Sequence, residues 1–163
     1  MIKRSSPAPS IQWKQAGIDT GFSLLELLLV LLCLSVLLAI ALPAYQQTVD
    51  YRNLKSAANQ LYADLMECRS RADLLNETWS VQFIGGDGYE VLAGPALRKS
   101  VTLPKGIRIA EYKTAFNRPA LGFNGKGHPL GGGSVVLRNL HGKEIRLVLY
   151  LHTGQMQLKE GSE

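Results

Sequence analysis

From Phe22 to Leu42 the chain reads FSLLELLLVLLCLSVLLAIAL, apolar on every face and broken only by Ser23, Glu26 and Ser35. At about 1.5 Å of rise per residue, some 20 helical residues cross roughly 30 Å of hydrocarbon, and a core helix of a small domain is seldom apolar all round. The run predicts a membrane-spanning helix. Pro43 should bend that helix without ending it, because helical periodicity resumes beyond it. Leu54, Ala58, Leu61, Leu65, Cys68, Ala72 and Leu75 recur at alternating spacings of four and three. They form one apolar stripe, with Arg52, Lys55, Asp64, Glu67, Arg69, Arg71 and Asp73 assigned to the opposite faces. Ala and Cys in the seam fit packing on a sheet better than a coiled coil.

Past Asn76, β-branched and aromatic residues alternate with polar ones and glycines mark turns. Trp79 to Ile84 and Tyr89 to Ala93, joined by Gly85-Gly86-Asp87-Gly88, predict a hairpin. Val101 to Leu103, Ile107 to Tyr112 and Ala120 to Phe123 predict shorter strands. Ser134 to Leu140 and Glu144 to Leu151, turning at His141-Gly142-Lys143, predict a second hairpin, and Gly154 leads into a last strand at Gln155 to Leu158. The expected class is α+β: a long N-terminal helix, membrane-spanning in its first half, packed on an antiparallel sheet.

Glu26 is the anomaly of the apolar run, since a carboxylate at membrane depth costs about 2.5–3.5 kcal/mol. Two readings stand. Lying five positions into the run, it reaches the headgroup zone and is solvated there. Alternatively, a cut after Gly21 leaves an α-ammonium on Phe22, on the same helix face, and that cation, its own or a neighbouring chain's, pairs with Glu26. Before the run, Met1 to Thr20 is polar and shows neither hydrophobic period, so it reads as a disordered leader. Lys3, Arg4 and Lys14 favour a cytoplasmic N-terminus and an exported C-terminus. Ala39-Ile40-Ala41 has the form of a signal peptidase site, but secretory apolar regions are about 7–15 residues and one bearing Glu26 would be handicapped.

Gly21-Phe22-Ser23-Leu24-Leu25-Glu26, followed by an apolar helix, Pro43 and Tyr45, resembles the N-terminal signal of type IV pilins and type II secretion pseudopilins. Phe123-Asn124-Gly125, the run from Gly133 to Asn139, Gly142 and Gly154 are similar to the GspH/FimT group of minor pilins. The resemblance implies cleavage by a prepilin peptidase between Gly21 and Phe22, N-methylation of Phe22, and a requirement for Glu26, with Pro43, in assembly. It divides the chain into a leader over 1–21 that is removed, a transmembrane and polymerisation helix over 22–42, an amphipathic helix over 43–77, and a β-rich periplasmic head over 78–163. The last two form one globular domain. The implied protein is a pilin-like minor pseudopilin, a structural subunit of a type II secretion pseudopilus or a type IV pilus. It sits once through the bacterial inner membrane, with other pilins and the prepilin peptidase as partners.

Charge adds one question. The chain of 163 residues carries a formal +5, and removing the leader leaves +3. From Gly94 to Glu163 there are eleven Lys or Arg against four Glu. Such a head is either a solvated surface or an attractant for nucleic acid or anionic lipid. Some minor pilins of the FimT kind bind DNA during uptake for transformation, and those members resemble one another in a C-terminal Gly-Arg-x-Arg stretch. The matching place here, Gly154-Gln155-Met156-Gln157, has glutamine for both arginines, which weakens phosphate contacts. Arg98, Lys99, Lys105, Arg108, Lys113 and Arg118 remain as another candidate patch.

No catalytic or metal constellation emerges, so no enzyme activity and no cofactor are expected. Gly125-Lys126-Gly127 lacks the phosphate-loop pattern. His128, His141 and His152 lie apart on predicted loops or strand ends, without metal-ligand spacing. Cys33 and Cys68 would be roughly 50 Å apart along one helix, too far to pair, and read as small buried apolar residues.

Overall fold

The computed structural model describes residues 23–115 and 118–161, and Pro43 and Ala44 through their backbone alone. Helix α1 runs Leu24–Leu75 without a break at Pro43. The chain divides into two compact units, Met1–Ile40 and Ala41–Glu163. In the first, the described residues are a bare helix: its apolar window is 0% buried and has a mean hydropathy of 2.9, long and apolar enough to cross a membrane. Its Ser35 hydroxyl donates to the Leu32 carbonyl at 2.7 Å, so that polar group is satisfied within the helix. Cys33, expected to be buried, is exposed here because no described residue covers this part of the helix.

In the second unit the stripe of α1 meets a core. Leu54, Ala58, Leu61, Leu65, Cys68 and Ala72 are all fully buried, but Leu75, expected to continue the stripe, is 54% exposed. The helix end explains the difference. Asn76 takes φ 51° and the Glu77 N–H donates to the Ala72 carbonyl, a left-handed cap that turns the chain away one residue after Leu75. A Cβ on Gly125 would lie 2.7 Å from the Asn76 backbone, so only glycine lets the loop after β5 close over this cap.

The strands are β1 Trp79–Ile84, β2 Gly88–Ala93, β3 Ala96–Thr102, β4 Ile107–Thr114, β5 Ala120–Phe123, β6 Gly133–Asn139, β7 Glu144–Leu149 and β8 Met156–Glu160. The expectation of an antiparallel sheet is refined to two, ordered β3-β2-β1-β5 and β4-β6-β7-β8. β5 returns to pair with β1, Trp79 facing Phe123, whereas β4 leaves to pair with β6. Alternation along β1, β2 and β7 turns Val81, Phe83, Tyr89, Val91, Ile145 and Leu147 inward, where both sheets and the helix stripe share one cluster. β3 reaches further back than Val101 to Leu103. It is an edge strand exposed along nearly its whole length, so no apolar alternation announced it.

Candidate functional site

Gly21 and Phe22 lie outside the described residues. The first described residue, Ser23, precedes the helix, and its carbonyl accepts from the Leu27 N–H at 3.1 Å. Glu26 therefore occupies the third helical position, in the first turn, exposed. A carboxylate there faces the unpaired N–H groups and the positive end of the helix dipole. Ser23 and Glu26 also have the Ser-x-x-Glu spacing of a capping box, a signal that the hydrophobic pattern hid. Pro43 lies within the continuous helical backbone of α1.

The head holds its chemistry in two polar clusters. Asp64 was placed on the polar face by sequence; the structure buries it, its side chain only 4% exposed. The Tyr89 hydroxyl donates to its Oδ2 at 2.7 Å, while Lys99 Nζ and Gln60 Nε2 reach Oδ1 at 2.7 and 3.0 Å. One carboxylate thus ties α1 to β2 and β3. Burial, then the bond to Asp64, pushes the Tyr89 hydroxyl well above its ordinary pKa. Burial also pushes the neighbouring Cys68 thiol up to about 12, which makes it an inert core group. The spacing could have revealed Asp64, for it lies three after Leu61 and four before Cys68.

The second cluster fastens the C-terminal strand. Tyr51 donates to Glu160 at 2.6 Å and Lys55 pairs with its other oxygen at 2.7 Å. The Lys55 and Tyr51 hydrogen bonds hold the Glu160 carboxyl below the usual carboxylate range. The same bonds raise both partners. A depressed acid stabilises the fold above its unfolded pKa and loses that contribution as pH falls through the folded value. Glu160→Gln should therefore flatten the acid limb of a plot of unfolding midpoint against pH. An acid limb identical to wild type would show that this pair adds nothing.

The candidate basic residues are not gathered on one strand. Arg98 and Lys99 lie on β3, Lys105 between β3 and β4, Arg108 and Lys113 on β4, and Arg118 just before β5. Lys99 is turned to Asp64 and Lys113 lies 3.2 Å from Glu111. At the place matching the Gly-Arg-x-Arg stretch, Arg69 of α1 donates to the Gly154 carbonyl at 3.0 Å, and Gly154 has φ 64°. That glycine closes the turn before β8 onto the helix. His128, His141 and His152 are exposed on loops. Among the described residues, no three His, Cys, Asp or Glu side chains could hold a metal ion.

A family model described as Type II transport protein GspH matches residues 57–154, more than half the chain and nearly all of the helix stripe and both sheets. The chain belongs to the GspH family. A second model, the prokaryotic N-terminal methylation motif, matches residues 19–42 of this GspH-family chain. It is 26% identical over 141 residues to Competence protein ComGD of Bacillus subtilis (strain 168), covering 86% of this chain and 94% of that protein. Crystal structures of the type IV minor pilin FimU of Pseudomonas aeruginosa (strain PAO1) share the fold. One has a TM-score of 0.55 at 21% identity over 71% of this chain and 95% of FimU. The other has 0.52 at 20% over 67% and 94%. The fold is thus that of a pilin: a long N-terminal apolar helix whose later turns pack against antiparallel sheets.

Proposed function

We propose that this GspH-family chain is a minor subunit of a pilus or pseudopilus, structural and not enzymatic, anchored in the inner membrane until it enters the filament. In this reading a prepilin peptidase cuts between Gly21 and Phe22, Phe22 is methylated, and the N-terminus faces the cytoplasm with the head in the periplasm. Glu26 then meets the new ammonium of its own or an adjacent chain, and Pro43 lies where the membrane helix passes into the head-bearing part. The observation that carries the reading is the bare apolar helix bearing one carboxylate in its first turn, ahead of a folded head. Gly21→Val should block processing, because the added side chain sits at the scissile bond. The check is an immunoblot of the membrane fraction: the variant stays at precursor size, and a mature-sized band would contradict the cleavage site.

Two machines compete for this subunit. The GspH description favours a type II secretion pseudopilus. The likeness to a competence protein favours a DNA-uptake filament whose head holds DNA. Salt-dependent retention on duplex DNA separates them, since phosphate contacts weaken steeply with salt.

A further inference from the structure

Register places side chains of the second sheet on two faces. Ile109, Leu137, Ile145 and Leu147 point to the core, so Arg108, Arg138, Arg146 and Lys159 share the opposite face. On that face Arg108 lies directly opposite Arg138, and Arg146 directly opposite Lys159. Like charges directly opposite destabilise a sheet. A fold selected for its own stability has no use for two such pairs, and violations of local pairing rules collect where a partner supplies the missing charge. Arg138 is partly relieved by its pairing with Glu144. Arg108, Arg146 and Lys159 have no carboxylate partner among the described residues. Val136 lies in the row of the second pair, directly opposite Arg146, and is 3% exposed yet outside the core cluster.

We infer that this outer face is a docking surface for an acidic protein surface on a neighbouring filament subunit. Charge complementarity selects that occupant. The face is a mosaic, with Glu111 in one row and Glu144 in the next, and both carboxylates would repel a phosphate chain laid across them. A protein surface bearing carboxylates and an occasional cation matches both signs. The inference rests on the filament reading above.

The test uses full-length chains with Lys159→Glu or Arg108→Glu, each of which places a carboxylate opposite a remaining arginine. In detergent, the Lys159→Glu chain should show a higher unfolding midpoint than wild type, because a repulsive pair becomes attractive. In cells, both variants should be processed and membrane-inserted normally, yet fall about tenfold in the sheared filament fraction, the scale of one lost interfacial charge contact. Incorporation at the wild-type level overturns the proposal, and if DNA retention drops at the same time the face belongs to nucleic acid. A lowered midpoint for Lys159→Glu also overturns it, since the opposed cations would then not be in conflict. Absence of the wild-type chain itself from the sheared fraction is a separate result, and it defeats the filament reading as well.

Discussion

Replacing Glu26 with leucine should leave the chain in the membrane and remove it from filaments. Leucine relieves the cost of placing a carboxylate in hydrocarbon, so insertion does not suffer. What is lost is the anion proposed to meet an N-terminal ammonium. If that pairing offsets a desolvation cost of about 3 kcal/mol, its removal changes an assembly equilibrium by about a hundredfold. The competing role, a favourable charge in the first turn of α1, is worth only about 0.3–1 kcal/mol and would leave incorporation nearly intact. Quantifying the chain in sheared filaments and in membranes distinguishes them: a hundredfold fall in the first with an unchanged second supports pairing. A change of twofold or less would assign Glu26 to helix capping or headgroup solvation.

The second large effect concerns stability. Asp64→Ala removes the acceptor for the hydroxyl of Tyr89, a residue only 1% exposed and with no other side-chain hydrogen-bond partner among the described residues. Lys99 is 42% exposed and can return to water, so the main penalties are the orphaned buried hydroxyl and the lost charge-assisted bonds. Together these amount to about 2–4 kcal/mol, a large share of the roughly 5–15 kcal/mol that holds a typical domain folded. Tyr89→Phe removes the donor instead, leaves Asp64 with Lys99 and Gln60, and should cost only about 1 kcal/mol. Chemical denaturation of the two variants in parallel checks the order. Equal losses would mean that the Tyr89–Asp64 bond carries the whole effect and that the Lys99 and Gln60 bonds to the carboxylate add nothing.

Much of this architecture is written in local pattern. The apolar run, the stripe from Leu54 to Ala72 and the strands Trp79–Ile84 and Ala120–Phe123 follow directly from period and turn residues. The two-sheet arrangement does not, because it depends on β1 choosing β5 and β4 choosing β6 across long stretches of chain. Only the end of β3, from Val101, showed in the pattern, because an exposed edge strand has no buried face. Asp64 escaped because its carboxylate outweighed its spacing. A second stripe, Ala57, Leu61, Asp64 and Cys68, runs beside the first and is equally buried. The N-terminal motif was legible for the opposite reason: it is contained in six consecutive residues, whereas the ammonium proposed to pair with Glu26 would exist only after the proposed cut.

That cut is the most direct point of attack on the whole account. Mass spectrometric sequencing of the protein recovered from membranes should find a polypeptide beginning at Phe22 and carrying a methyl group on its amine. A first residue of Leu42 would mean that the apolar run is a discarded secretory signal, with no anchor and no paired carboxylate left to build a filament.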